Sequence, residues 1–386
     1  MSILLTGATG FVGCRVLREL LADDTDDTDD TDEPVTVLGR GTPDELRARV
    51  EATMTWLTEA PPPPRALARL RYVSGDIERP GLGLSAADRA RTLDGLREVW
   101  HSAALLNFMD APAPLHRANV RGTRHVLDLL EAAPAAELRH ISTAYVAGRR
   151  STGHVLEDDL SEDSGFMSRY EESKYTAERL LRAWSAATGR AVTVLRPSLL
   201  VSDRPAPEGL PGQPVDVFIR LVDQVANGWT ARGHGVAELL RGGLRGDRVR
   251  VRVEADPEGT LNLLQVDHAA RAMVRAAAAP VDGPPRVRTL HVTHPRETPF
   301  RTALDALATR YPGLSLSVHA EVGNPTRLER TLTEETWRHL PGLSTLRRTY
   351  DRTHFLKAVG DLPDPDPVDE AYLARAFSRA DLPTAV

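Results

Sequence analysis

Residues 3 to 13 read Ile-Leu-Leu-Thr-Gly-Ala-Thr-Gly-Phe-Val-Gly, an apolar run that breaks into glycines and continues as a periodic stretch from Phe11 to Leu21. A strand that turns through glycines straight into a helix is the local architecture of a dinucleotide site. Gly7 permits the tight turn, Gly10 lets the backbone approach a pyrophosphate, and Gly13 lets the helix pack closely on the strand. The first amides of a helix have no partners within it and suit phosphate oxygens. Thr9, Phe11 and Val12 are therefore grouped with the glycines as nucleotide-binding positions.

Strands and helices then alternate. Strands at 35–38, 70–74, 97–101, 138–142 and 192–196 are separated by helices at about 43–59, 85–95, 114–132 and 168–188, with a proline linker at 61–64. This order predicts an α/β fold on a Rossmann-type, doubly wound parallel sheet, with ligands at the carboxyl ends of the strands. Residues 1–200 form the nucleotide-binding domain in this reading, completed by about 263–296, where Val266-Asp267-His268 returns to the core and Thr289 to Val292 forms a further strand. Residues 201–262 and 297–386 form a smaller substrate-binding lobe, with a helix at about 299–311, a strand near 315–320 and a helix near 368–380.

Composition excludes several alternatives. At 386 residues the chain is long enough to bury a sizeable core. Its formal charge of −6 is uneven, because the Asp/Thr run from Asp23 to Glu33 carries eight negative charges and leaves about +2 for the rest. Neither value suits a nucleic-acid partner. The run reads as a solvated loop; its carboxylates suit calcium, which stays the lesser alternative because the run lacks the glycine and terminal glutamate of a defined calcium loop. No stretch approaches the ~20 apolar residues of a membrane span. The first strand starts at residue 3, which leaves no room for a signal peptide and predicts a soluble, cytoplasmic protein. Cys14 is the only cysteine and reads as helix packing; no disulfide framework and no metal site is expected.

Chemistry gathers at the strand ends. Leu38-Gly39-Arg40 closes the second strand where an NAD-specific site carries an acid for the ribose hydroxyls; Arg40 suits a 2′-phosphate and so favours NADPH, although a chain with forty-six arginines also places many on its surface. After the third strand Asp76 can accept from adenine and Ile77 can cover the ring. His101 ends the fourth strand as a satisfied structural histidine, and Ala103 and Ala104 behind it allow close passage of a cofactor. The fifth strand runs into Ser142 and Thr143, rival hydroxyls for a substrate oxygen, and the sixth ends at Arg196-Pro197-Ser198, with Pro197 and Ser198 beside the nicotinamide. Tyr170 and Lys174, one of only two lysines, lie four residues apart on one helix face. A phenol titrates near ~10 when free, and a neighbouring cation favours phenolate, so the pair reads as a proton donor and its tuner. Arginine would hold the same charge in a flat fork of different reach. By spacing alone, an exposed helix with an accidental Tyr and Lys is the alternative.

Together, Thr6 to Gly13, Gly75-Asp76, Ala103-Ala104, Asn119-Val120-Arg121-Gly122-Thr123, Ser142-Thr143 and Tyr170-x-x-x-Lys174 resemble the extended short-chain dehydrogenase/reductase superfamily. Within it the chain looks most like the thioester-reductase and fatty acyl-CoA reductase branch, through Ser74 to Leu84, His101 to Phe108, Ser142 to Val146, Tyr170 to Glu178, and a tail from Tyr350-Asp351 to Asp381-Leu382-Pro383 that is similar to carrier-linked reductase domains. The similarity is thin between 203 and 262, and the acidic insertion departs from the family pattern.

That resemblance implies hydride transfer from NADPH to a thioester carbonyl. Thr143 and Tyr170 would hold the carbonyl oxygen, Tyr170 would supply a proton or hydrogen bond, and Lys174 would tune Tyr170 and bind the nicotinamide ribose. A hemithioacetal would collapse to aldehyde and thiol, and a second hydride could give the alcohol. No adenylation or carrier domain accompanies the reductase, so the acyl group is expected on a separate carrier protein or on coenzyme A, in secondary or lipid metabolism. Arg232, Arg241 and Arg245 could meet a phosphopantetheine phosphate, or be ordinary solvated charges. Two other readings remain: an extended dehydrogenase or epimerase acting on a sugar nucleotide or other hydroxyl or keto compound, and a non-catalytic cofactor-binding protein, against which Thr143, Tyr170 and Lys174 argue.

Overall fold

A computed structural model describes residues 1–22, 33–106, 112–216, 219–220, 223, 249–280, 286–311, 314–337 and 343–378. The chain runs through β1 (Ser2–Thr6), α1 (Gly13–Leu21), β2 (Val35–Gly39), α2 (Pro43–Thr58), α3 (Pro64–Ala68), β3 (Leu70–Ser74), α4 (Ala86–Leu93) and β4 (Leu96–His101). Helices α5 (Pro112–Leu115) and α6 (Gly122–Leu130) are joined by a π-helical stretch at His116–Arg121, and β5 (Glu137–Ile141), β6 (Thr152–Val155), α7 (Arg169–Thr188), β7 (Val192–Pro197) and β8 (Leu199–Val201) follow. Next come β9 (Val249–Glu254), β10 (Thr260–Leu261), β11 (Leu263–Gln265), α8 (Val266–Ala278), β12 (Val287–Val292) and β13 (Thr298–Pro299). The last elements are α9 (Phe300–Thr309), β14 (Leu314–His319), α10 (Arg327–Trp337), β15 (Arg347–Tyr350), α11 (Thr353–Val359) and α12 (Glu370–Phe377).

The expected α/β architecture is borne out: seven strands form a parallel sheet in the order β12-β7-β5-β4-β1-β2-β3. Neighbours on both sides make the central strands apolar on both faces. Ile3 and Leu5 pack with Val16 of α1, Val50 of α2 and Met273 of α8, while Leu4 between them packs with Val126 of α6 and Leu181 of α7. Strand order reverses at β1, which lies between β2 and β4, and the carboxyl ends part there to leave a crevice.

A third apolar cluster lies outside the sheet. It joins Val201 of β8 and Leu263 of β11 to Phe300 and Leu304 of α9 and Leu373 and Phe377 of α12. Phe355 and Val359 of α11 instead join the core around Met273. The short parallel pairs β6–β15, β8–β11 and β9–β14 unite distant segments; β9 (Val-Arg-Val-Arg-Val-Glu) and β14 (Leu-Ser-Leu-Ser-Val-His) alternate apolar and polar residues, and β14 is the strand expected near 315–320.

The helix expected at 114–132 is present but interrupted by the π-helical stretch. That stretch carries Asn119, whose amide accepts from Leu105 N at 2.8 Å and donates to Leu105 O at 3.0 Å and Ser173 Oγ at 2.9 Å. Wider turns of this kind gather at functional sites, and here one ties the loop after β4 to α7. Among the described residues no helix is long and apolar enough to cross a membrane, and no group of His, Cys, Asp and Glu could hold a metal.

Candidate active site

The glycine turn has the conformation its sequence requires. Gly7 has φ +79°, and Gly10 N donates to Gly7 O at 2.9 Å. A Cβ on Gly7 would lie 2.5 Å from Ala103 N, so β1 and β4 touch through backbone where the strand order reverses. A Cβ on Gly13 would collide with the Gly7 carbonyl, so Gly13 brings α1 against the turn itself more than against the strand. Thr6 Oγ1 accepts from Ala103 N at 3.3 Å and meets His101 Nδ1 at 2.8 Å. His101 Nε2 lies 3.2 Å from Thr123 Oγ1, which makes His101 the satisfied structural histidine expected. Cys14 is buried in α1, as expected.

Sequence reasoning missed Arg15, which steadies this turn. Its side chain is 1% exposed, donates to Phe11 O at 2.8 Å, and sits over the rings of Phe11 and Trp56. Asp267 of α8 pairs with it at 3.4 Å.

Arg40 and Asp76 follow neighbouring strands. Gly39 of β2 pairs with Ser74 of β3, which places Arg40 beside Gly75 and Asp76. Arg40 is exposed, and its carbonyl accepts from Arg49. Asp76 Oδ1 accepts from Glu78 N at 3.0 Å, so part of the carboxylate expected to face adenine closes its own loop. Ile77 approaches Gly122 of α6, where a Cβ would stand 3.0 Å from its Cδ1. Ile77 therefore packs on the helix.

Helix α7 carries the Tyr/Lys pair. Ser168 caps it, accepting from Glu171 N at 3.3 Å, while Glu171 Oε2 accepts from Met167 N at 2.8 Å and Ser168 N at 3.4 Å. Such a cap is worth ~1 kcal/mol and fixes the first turn, where Tyr170 lies. Lys174 is 2% exposed and donates to Ile141 O at 2.6 Å. Burial lowers its ammonium to about 8, against the opposing pull of Glu178. The phenol differs from expectation: burial first, and then the Glu171 charge, push Tyr170 well above its ordinary value. Desolvation outweighs any tuning by Lys174 because a phenolate loses more from leaving water than a cation on the same helix restores.

The two rival hydroxyls have separate tasks. Ser142 Oγ donates to Glu178 Oε1 at 2.5 Å and is committed to it. Thr143 Oγ1 accepts from Tyr145 N at 3.2 Å, which leaves its hydroxyl proton to donate elsewhere. Glu178 also binds Arg196 of β7 at 2.7 Å, with both side chains 0% exposed. Sequence reasoning missed this pair, although Glu178 continues the Tyr170–Lys174 stripe by one more turn.

One cavity of about 600 Å³ collects most of these groups. Gly10, Phe11, Val12 and Gly13 line one part together with Ala104, Pro197 and Ser198, and Thr143, Tyr170 and Lys174 line the wall between β5 and α7. Ser198 Oγ is buried without a hydrogen-bond partner among the described residues, on a cavity wall where a polar ligand would satisfy it. Glycine backbone at one end and this hydroxyl beside it fit a nicotinamide dinucleotide. Gly7, Thr9, Arg40, Asp76, Ile77 and Ala103 are not among the residues that line it. The far wall is apolar, built from Leu199, Val201, Phe300, Leu304, Leu373 and Phe377. It escaped sequence reasoning because three separate segments compose it. Asn107, Phe108, Arg232, Arg241, Arg245, the tail at 381–383 and the insertion before Glu33 lie outside the described residues.

Known proteins are similar to this chain. Isonitrile lipopeptide synthase of Streptomyces coeruleorubidus is 34% identical over 195 residues, covering 50% of this chain and 13% of that protein. L-2-aminoadipate reductase large subunit of Penicillium chrysogenum is 26% identical over 316 residues, covering 76% of this chain and 20% of that protein. The chain thus spans about a fifth or less of these relatives. The crystal structure of the terminal R domain from the myxalamid PKS-NRPS pathway superposes with a TM-score of 0.71 at 25% identity, covering 97% of this chain and 89% of that one. The resemblance to thioester reductases and fatty acyl-CoA reductases is borne out, and the NAD-binding family model described as male sterility protein matches residues 5–273, so the chain belongs to that family.

Proposed function

We propose that the protein is an NADPH-dependent reductase of an acyl thioester, held on a carrier protein or on coenzyme A, with an aldehyde as first product and the alcohol reachable by a second reduction. The observation that carries this reading is one cavity in which Thr143, Tyr170 and Lys174 stand between a glycine turn and an apolar wall. The aliphatic and aromatic side chains of the lining suit an acyl chain, while Gln213, Asp216 and Arg220 on the same cavity could meet the polar arm that carries it or a sugar, so a substrate panel decides between the two. Residues 1–200 with about 263–296 would form the nucleotide-binding domain, and 201–262 with most of 297–386 the substrate lobe; Phe355 and Val359 return to the first core.

When bound, the dinucleotide supplies the hydride. The amides at the start of α1 would hold its pyrophosphate, Arg40 its 2′-phosphate, Asp76 and Ile77 its adenine, and Ala103, Ala104, Pro197, Ser198 and Lys174 its nicotinamide half. Thr143 donates its hydroxyl proton to the thioester oxygen. Tyr170, held protonated by burial, donates to the same oxygen as negative charge develops. Lys174 stays charged below about 8 and stabilises that charge. The apolar wall keeps water from the acyl carbon and favours collapse of the hemithioacetal to aldehyde and thiol.

A panel of acyl-CoA, acyl-carrier and sugar-nucleotide substrates with NADPH or NADH tests this reading. Thioester-dependent NADPH consumption with thiol release supports it, at one NADPH per thiol if the aldehyde leaves and two if the alcohol does. Turnover confined to sugar nucleotides would replace it with the dehydrogenase or epimerase reading.

A further inference from the structure

Behind Lys174 lies a histidine that the mechanism above does not use. His140 of β5 is 1% exposed, and its Nε2 stands 3.3 Å from Lys174 Nζ. Its ring centroid is 5.3 Å from that of His101, whose two nitrogens are taken by Thr6 and Thr123. His140 Nδ1 has no hydrogen-bond partner among the described residues.

The chemistry of the contact fixes its direction. An ammonium has three N–H donors and no acceptor, so Nε2 must receive the bond and the ring proton must sit on Nδ1. That tautomer leaves a buried N–H unpaired, a cost that only a stronger bond elsewhere offsets. Burial and the Lys174 charge hold His140 neutral, so its Nε2 lone pair remains available. The groups facing the ammonium are Ile141 O and His140 from β5, His101 from β4 and Glu178 from its own helix, and Tyr170 lines the same cavity; Arg196 of β7 offsets the Glu178 charge. A flat guanidinium could not use one point donor on Ile141 O and another on Nε2 while keeping a third for the cavity.

We propose that His140 is a positioning residue that accepts one N–H of Lys174 and, with Ile141 O taking the second, aims the third into the cavity. The bond stabilises the ammonium against burial, so His140 helps set the pH at which Lys174 loses its charge. Its importance to turnover rests on the reductase reading of the site, but the bond can be measured without any reaction.

The chain contains two lysines, Lys174 and the exposed Lys357. In a Lys357→Arg background, lysine labelled at its terminal carbon and nitrogen therefore reports Lys174 alone by NMR. Titration near 8 is expected. His140→Phe removes the acceptor and should lower that midpoint by about one unit, whereas His140→Gln, whose oxygen reaches toward the Nε2 position, should restore most of the shift. An unchanged midpoint in both variants overturns the proposal. Should the Phe variant fail to fold, the imidazole nitrogens of the parent decide: a neutral ring protonated on Nδ1 supports the proposal, and a ring protonated on Nε2 or charged at pH 7 overturns it. If a thioester is reduced, the alkaline limb of kcat/KM should move with the Lys174 midpoint. Shifted titration without thioester turnover would refute the reductase reading and leave the His140 bond standing.

Discussion

Glu178 binds Arg196 across the α7–β7 boundary at 2.7 Å, with neither side chain reaching solvent, and its Oε1, which also accepts from Arg196 Nε at 3.0 Å, takes the Ser142 hydroxyl. Arg196 in turn donates to Glu157 O at 3.1 Å and Asp159 O at 2.9 Å. The pair links the strand end that carries Thr143 to the helix that carries Tyr170 and Lys174. Glu178→Gln should destabilise the fold by ~3–5 kcal/mol, because Arg196 would keep its charge without a counter-ion. Adding Arg196→Met should recover part of that loss. Denaturant unfolding of the two variants checks both, and a loss below ~1 kcal/mol for the single change would show that water reaches the pair.

Tyr170→Phe and Lys174→Met should each lower turnover by orders of magnitude, ~10²–10⁴ for the loss of a positioned acid. Nucleotide binding should survive Tyr170→Phe better than Lys174→Met, which fluorescence titration with NADPH can read. Near-normal rates in both variants would remove these residues from the reaction.

Arg40→Ala should weaken NADPH binding more than NADH binding, because only the former carries the 2′-phosphate. The ratio of the two dissociation constants is the measurement. Equal losses would mean that the exposed arginine does not read the phosphate.

Gly13→Ala places a Cβ against the Gly7 carbonyl and should abolish nucleotide binding. Gly323→Ala, with open space around the position, should leave stability within ~0.5 kcal/mol. Comparing the melting temperatures and NADPH affinities of the two variants separates backbone crowding from a general intolerance of alanine.

Glu157 is 0% exposed and accepts from His291 N at 2.8 Å and Phe355 N at 3.0 Å, and burial raises its carboxyl to about 7. Between the ordinary 4.5 and about 7 the folded state holds a proton that the unfolded chain has released, so this group's contribution falls as pH rises. His101, His140 and His291, held neutral by burial, act in the opposite direction below 6.5. The difference between parent and variant isolates Glu157: the stability gap to Glu157→Gln should narrow from pH 4.5 to 7. A constant gap would place its pKa near the free value.

What could be read in advance was local. The glycine turn, the strand ends and the Tyr170–Lys174 spacing are each written within a few consecutive residues, and the parallel sheet follows from the order of apolar runs. Signs that depend on burial were not legible: a cation four residues away suggests a depressed phenol, yet surroundings contributed by other elements raise it. Contacts across long stretches of chain were equally hidden. Neither the partner of Arg196 nor that of His140 can be read from its own strand, because both partners, Glu178 and Lys174, come from α7. The π-helical stretch at Asn119 escaped because one added residue in a turn leaves an amphipathic pattern nearly intact.

The apolar wall of the cavity comes from β8, α9 and α12, none of which carries Thr143, Tyr170 or Lys174. Substitutions at Leu304 or Phe377 can therefore reshape the space given to a guest molecule while the groups that exchange protons keep their positions. Selectivity and reactivity are inherited on separate stretches of chain, and the first is free to diverge without dismantling the second.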